Sequence, residues 1–233
     1  MALWGGRFSD GPADAVFALS RSVHFDWRLA PYDLRSSLAH LEILESSGLL
    51  TTDVAGSIRG ALKELIAEVA SGKFVAIESD EDVHSALERG LTEKLGDIGG
   101  SLRAGRSRND QVTTDLRLYA IDHMLEIASQ ILLLQKALIA KADEYGDASA
   151  PGFTHLQHAQ PVLFGHELAK HVHAFARDID RIHDWLERTS VSPLGSGALA
   201  GSSLPLAPEK TAAILGFNKS AGNSIDGVSD RDY

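Results

Sequence analysis

Along nearly the whole chain, apolar residues recur at steps of three and four, the period of one face of an α-helix. No segment keeps a period of two with β-branched enrichment and hairpin turns. The pattern predicts an all-α protein. Leu34, Leu38, Leu41, Ile43 and Leu44 outline one helix, expected to stop at Gly48, a residue type favoured just past a helix C-terminus. Thr51 to Asp53 offer the start of a second, with Ile58, Leu62, Leu65, Ile66 and Val69 on one face and Gly72 after its end. Ser79, Asp80, Glu81 and Asp82 read as the S-x-x-acid entry of a third, carried on by Val83, Leu87, Leu91 and Leu95 up to Gly96. The glycine-rich DIGGSLRAGRSRND that follows is expected to be a loop.

From Gln111 to Tyr145 there is no Gly or Pro, which at ~1.5 Å per residue allows a rod of about 50 Å. Downstream, Leu168, Val172, Phe175, Ile179, Ile182 and Leu186 follow the alternating steps of a bundle seam. Ile131, Leu132, Leu133, Leu134, Leu138 and Ile139 make the rod apolar around more of its circumference than one antiparallel neighbour can bury. An oligomeric bundle is the expectation. It gives residues 1–110 as a small N-terminal helical domain and 111–233 as the first, incomplete part of a central bundle. After Thr189 the composition turns to SPLGSGALAGSSLPLAP, poor in charge, which reads as a structured loop or linker.

Composition narrows the function. Lys and Arg total 22 against 32 acidic residues, a net charge of −10, which disfavours nucleic acid or an anionic membrane surface as the general partner. The absence of cysteine removes disulfides, zinc-thiolate sites and thiol nucleophiles and fits a reducing compartment, the cytoplasm by default. The N-terminus lacks the basic flank and apolar run of a secretory signal, and no apolar stretch approaches the ~20 residues of a membrane helix.

Three segments can carry chemistry. Gly105 to Gln111, GRSRNDQ, stands directly before the long helix. Ser107, Asn109 or Asp110 can cap it, and two arginines beside free helix N–H groups favour an anion such as a carboxylate. Pro151 to Pro161, PGFTHLQHAQP, lies between the bundle helices, where His155 is suited to proton transfer and Thr154, Gln157 and Gln160 to positioning hydrogen bonds. His84 and Glu88 share a helix face with Asp82 nearby, a candidate relay pair or an ordinary surface ion pair. The histidines at 155, 158, 166, 171, 173 and 183 do not form a metal set, since His171 and His173 point to different sides and no H-E-x-x-H motif occurs. The third segment, Ser192 to Ser203, lacks the lysine of a phosphate-binding loop and is expected to pack closely at a bundle end.

Taken together, LWGGRF at Leu3 to Phe8, EDVH at Glu81 to His84, GRSRNDQ, GFTHLQ with its AQP extension, SPLGSGALAG and NSIDGVSDRDY at Asn223 to Tyr233 resemble the argininosuccinate lyase branch of the fumarase and aspartase superfamily. The resemblance runs over nearly the whole chain in the family's order. It implies a cofactor-free, reversible β-elimination giving arginine and fumarate from argininosuccinate, within a homotetramer whose active sites are shared between subunits. Carried over by motif, Ser22, Asn109 and Thr154 would contact substrate, with Ser107 and Arg108 near its carboxylates and Gln157 alongside. His155 would be the acid or relay, and His84 and Asp82 would support the network. No metal is implied.

Two departures stand out. Arg103-Ala104 occupies the place of a His-Thr pair common in the family, exchanging a hydroxyl contact for a cation. The family's mobile serine loop, written GSSxMPxKxNP and carrying the base, follows the SDRDY-like segment and is not among these 233 residues. Gly201 to Pro205 looks like it but lacks its Lys and Asn-Pro, so neither Ser202 nor Ser203 is assigned as base. The chain alone is therefore expected to be inactive. The competing readings are another fumarate-releasing lyase, such as adenylosuccinate lyase, and a non-catalytic, crystallin-like scaffold.

Overall fold

The structure, a computed structural model, describes residues 13–233, so the LWGGRF motif lies outside the described residues. In chain order the helices are α1 (Asp14–Ser20), α2 (Val23–Asp26), α3 (Ala30–Ser46), α4 (Thr52–Ala70), α5 (Val83–Leu95), α6 (Asp97–Gly100) and α7 (Arg108–Glu144). There follow the strands β1 (Ser149–Thr154) and β2 (Gln157–Leu163), helix α8 (Phe164–Thr189), strand β3 (Val191–Ser192), helix α9 (Pro208–Leu215), strand β4 (Lys219–Ser220) and helix α10 (Ser224–Ser229). The chain is mostly helical, as its periodicity predicts.

Compactness groups the described residues into two units, 13–118 with 191–231, and 119–190 with 232–233. Residues 191–231 thus join the first unit, whereas the sequence reading placed all of 111–233 in the central bundle. The core of the first unit is built from α3, α4 and α5. Leu34, Leu41, Ile43 and Leu44 meet Ile58, Leu62 and Leu65 and then Val83, Leu87 and Leu91, all buried. Burying each such side chain stabilises by about 1.5–3 kcal/mol. Helix α3 begins with Pro31 in its first turn and ends where Gly48 takes φ 75°, letting the Leu49 N–H reach back to the Leu44 carbonyl at 3.0 Å. Thr51 caps α4 through its hydroxyl.

Two local expectations need correction. Helix α5 is capped by Asp82 and not by Ser79. The Asp82 carboxylate accepts from the Ser85 N–H at 2.7 Å and the Ser85 hydroxyl accepts from the Asp82 N–H at 3.0 Å, a reciprocal box that Ser79 is one turn too early to make. The DIGGSLRAG stretch is not plain loop, since α6 and a 3-10 turn at Ser101–Arg103 follow Gly96, burying Leu102.

The second unit contains α7 from Tyr119 and α8, whose expected seam residues Leu168, Val172, Phe175, Ile179, Ile182 and Leu186 are all half-buried. Gln135 of α7 donates to the Val172 carbonyl of α8 at 2.8 Å. The PGFTHLQHAQP segment, where the all-α pattern predicts no strand, forms an antiparallel hairpin in which Ser149 faces Leu163 and Thr154 faces Gln157, with an irregularity between Pro151 and Phe153. Its turn residues are not the usual Asn-Gly type, which is why composition conceals it. Leu125, Ile127, Leu132, Leu133, Leu134 and Ile139 of α7 remain exposed in the single chain.

The α7 to α8 contact is close where Gly165 opens α8. A Cβ there would lie 2.4 Å from the Ala142 carbonyl oxygen and 3.0 Å from the Gly146 Cα, both backbone atoms that cannot step aside. Gly165→Ala is therefore expected to destabilise by about 1–3 kcal/mol. Urea unfolding followed by circular dichroism should show a lower midpoint at unchanged slope, and an unchanged midpoint would refute this packing.

Candidate active site

The site begins with a structural problem: four buried polar side chains on α3, at Asp33, Ser36, Ser37 and His40, face the interior of the first unit. Each needs a partner, because an unpaired polar group in a dry interior is costly. Asp33 finds three. Its Oδ2 accepts from His84 Nδ1 of α5 at 2.5 Å and from Gln111 Nε2 of α7 at 2.6 Å, and its Oδ1 accepts from the Ser37 hydroxyl at 3.0 Å. Arg106 Nη1 donates to the same Ser37 hydroxyl at 2.9 Å. Ser36 donates to Asp115 Oδ1 of α7 at 2.6 Å. His40 Nε2 donates to the Ala104 carbonyl at 2.9 Å, and burial, reinforced by the Arg106 charge, lowers its pKa to about 3, so it is a neutral ring that ties down the entry to GRSRNDQ.

Around this hub lies a cavity of about 40 Å³ lined by Asp33, His84, Arg106, Ser107, Arg108 and Gln111, among others. Ser107 sits at the N-terminus of α7, where its hydroxyl accepts from the Asn109 N–H at 3.3 Å and its own N–H donates to Asp110 Oδ1 at 3.0 Å. The other oxygen of the buried Asp110 accepts from the Gly195 and Gly197 N–H groups at 3.0 and 2.8 Å, and Asn109 Nδ2 donates to the Ala198 carbonyl at 2.9 Å. The Ser192 to Gly201 segment is thereby clamped onto GRSRNDQ. Burial raises the Asp110 carboxyl above its ordinary range, and the three backbone donors offset part of that.

Electrostatics sort the acids of the hub. Asp33 stays charged: burial pushes its pKa up, but hydrogen bonding and charge from His84, with Arg106 and Ser37, outweigh it and hold the carboxyl below its usual value. Asp115, with one hydroxyl donor, is pushed up to about 8 by burial and by the charge of Asp33. His84 is raised above its ordinary value, because Asp33, Asp115 and Asp82 together outweigh the burial that would neutralise it. Asp33, His84 and Asp115 have ligand-type atoms within 4.8 Å of one another. The 2.5 Å between His84 Nδ1 and Asp33 Oδ2 is nevertheless a hydrogen-bond distance, shorter than the roughly 3.3 Å between two tetrahedral ligands of one zinc ion.

Of the residues singled out by sequence, Asp82, His84, Ser107, Arg108 and Asn109 come together here. Asp82 caps α5 and accepts from Arg108 Nη1 at 2.5 Å, while Glu88 takes Arg103 at 2.9 Å and lies 3.9 Å from Arg108. The candidate His84 and Glu88 pair does not form, since His84 turns inward to Asp33. Ser22 donates to Asp26 Oδ2 at 2.6 Å, and Asp26 Oδ1 accepts from the Val83 N–H at 3.1 Å, which places Ser22 beside the start of α5. Thr154, His155 and Gln157 belong to the second unit, on the hairpin and its tip. Sequence reasoning missed Asp33, Ser37 and Asp115 as site residues, while Arg106 was legible only as one of the two arginines of GRSRNDQ. The available signal was a polar stripe at 33, 37 and 40 and at 111 and 115 inside otherwise apolar helix faces.

The family model described as Lyase matches residues 6–233. The chain belongs to this lyase family. It is similar to the argininosuccinate lyase of Frankia casuarinae, 59% identical over 100% of this chain and 50% of that protein. Among solved structures, EDDS lyase in complex with formate superposes with a TM-score of 0.78 at 29% identity, over 93% of this chain and 42% of the other. A variant of EDDS lyase with bound fumarate gives a TM-score of 0.78 at 27% identity, over 96% and 45%. The chain spans about half the length of the curated relatives it matches.

The raised Asp115 sets a pH test. The folded state holds this proton up to about 8, whereas the unfolded chain releases it near 3.8, so the group contributes stability at low pH that is lost as pH rises between those values. Asp115→Asn keeps the shape of the neutral acid and an acceptor for Ser36. Its melting temperature, measured by scanning calorimetry, should gain on that of the parent from pH 4 to 8, by roughly 4 °C or more at pH 8. A gap that shrinks as pH rises would show Asp115 to be ionised in the fold.

Proposed function

We propose that this chain is the N-terminal half of an argininosuccinate lyase, which removes a proton from the carbon beside a carboxylate of argininosuccinate and breaks the C–N bond to release arginine and fumarate. The observation that carries the reading is the assembly of GRSRNDQ at the N-terminus of α7 beside buried His84. Arg106 there donates to a hydroxyl instead of a carboxylate, and Ser107, Asn109 and the first N–H groups of a 37-residue helix gather at one end. Such an end stabilises the dianionic carboxylate that develops as the proton leaves. Similarity to argininosuccinate lyases along the whole chain and to a fumarate-bound lyase structure supports the same chemistry.

In this reading Ser22, Ser107, Arg108, Asn109, Thr154 and Gln157 bind substrate, Asp82 orients Arg108, and His155 protonates the leaving guanidino nitrogen or relays that proton. The base sits on a serine loop outside these residues. No cofactor takes part, and the cytoplasm is the compartment. His155 and Leu156 form the hairpin tip with φ of 52° and 60°, a left-handed conformation that side-chain-bearing residues adopt at a cost, and Leu156 is 99% exposed. A strained tip presented to the outside fits a role in the site of another subunit. The exposed leucines and isoleucines of α7 fit a homotetramer whose helices cover one another.

Two outcomes test this. Light scattering of the 25.0 kDa chain at micromolar concentration should return about four times its mass, and a well-folded monomer would count against the shared-site arrangement. In the full-length lyase, His155→Asn should lower turnover by ~10²- to 10⁴-fold, followed through fumarate absorbance, with melting temperature nearly unchanged. Turnover within a few-fold of the parent's would remove His155 from proton transfer.

A further inference from the structure

We propose that Asp33 is a positioning residue of this site: it holds the imidazole of His84 through Nδ1 and leaves Nε2 to donate to a ligand seated among Arg106, Ser107 and Arg108. The proposal rests on the lyase reading for the ligand's class, a carboxylate.

Geometry makes the case. The His84 ring is 7% exposed and lines the cavity, with Nδ1 bonded to Asp33 Oδ2 at 2.5 Å. Its Nε2 is buried without a hydrogen-bond partner among the described residues. A histidine that served only the core would have both ring nitrogens satisfied, because an orphaned polar atom in a dry interior is expensive. Asp33 cannot swing away to follow the ring. Ser37 holds one of its oxygens at 3.0 Å and Gln111 the other at 2.6 Å, so the carboxylate is pinned by its own helix and by α7 while it pins a ring on α5. The imidazole plane, and with it the direction of Nε2, is set by three helices at once.

The surrounding charges favour a proton on that nitrogen. Asp33 from α3, Asp115 from α7 at 3.9 Å from Nδ1, Asp82 at the head of its own helix and Asp26 from α2 all face the ring, with the Arg106 cation acting on Asp33 and Asp115. The two nearest acids divide their roles by donor count. Asp33, with three donors, keeps its charge and is the main support of an imidazolium; Asp115, with one, is mostly protonated below about pH 8 and adds its charge to that support only as it ionises. His84 then offers an N–H where a ligand oxygen gains negative charge.

Ring-¹⁵N-labelled histidine in the full 233-residue chain tests this without turnover, the His84 signal being assigned by its loss in His84→Asn. In the parent protein the ring should stay an imidazolium at pH 7.5, past the ordinary histidine range, with an Nδ1-bound proton shifted far downfield by Asp33. Asp33→Asn, close in shape, should lower the His84 midpoint by about 1–3 pH units. Introduced into the full-length lyase, the same substitution should lower kcat about 10²-fold at nearly constant KM and move the alkaline limb of the pH profile down with the ring. A neutral His84 ring at pH 6.5 in the parent, or a midpoint indifferent to Asp33→Asn, overturns the proposal. If the variant does not fold, the parent's own Nδ1 proton decides, and its absence from the downfield region refutes the bond. Failure of the lyase reading would show separately, as no fumarate release with the ring behaviour intact.

Discussion

Most of the first unit depends on where one buried carboxylate finds its donors. Asp33 draws a histidine from α5, a glutamine from α7 and a serine from its own helix onto its two oxygens. Placing an ion in a dry interior carries a desolvation penalty of several kcal/mol unless it is paired and fully hydrogen-bonded. The arrangement is accordingly all or nothing: the removal of any donor leaves charge uncompensated in the core. It aligns the starts of α5 and α7, and those starts bear Asp82 and Ser107.

A second buried acid extends this order across the sequence. Asp110 collects N–H groups from Ser107, Gly195 and Gly197, residues that only the fold makes neighbours. Gly195 and Gly197 have φ of 108° and 62°, backbone conformations that turn successive N–H groups toward one oxygen and that other residues resist. The charge-poor SPLGSGALAG segment is therefore a fitted collar for the N-terminus of α7. Arg106, reaching between Ser37 and the cavity, stands at the junction of the two networks and acts on Asp33, Asp115 and Asp110 alike.

The second unit follows a different economy. Its seam on α8 is half-buried and much of the apolar surface of α7 stays open in the single chain. The hairpin at 149–163 projects Leu156 fully into solvent and holds two consecutive side-chain-bearing residues in left-handed geometry. A short strained turn survives when its surroundings over-determine it, and here the strand pairing on either side does so.

What the sequence by itself determined was what rests on short-range physics. The helices α3, α4, α5, α7 and α8 follow from periodicity. Their ends at Gly48, Gly72 and Gly96 follow from the need for positive φ, and the membership of a lyase family follows from motifs whose residues are contiguous. The tertiary structure decided what depends on distant partners. His84 was legible as a candidate but assigned to the wrong neighbour, because Glu88 shares its helix face in sequence while Asp33 shares its cavity in space. Asp33 and Asp115 carried no motif at all; their importance comes from burial and from one another's charge, quantities that exist only once three helices have closed around them. The hairpin was hidden for the same reason, since its strands are specified by pairing across a turn and not by any alternation of their own.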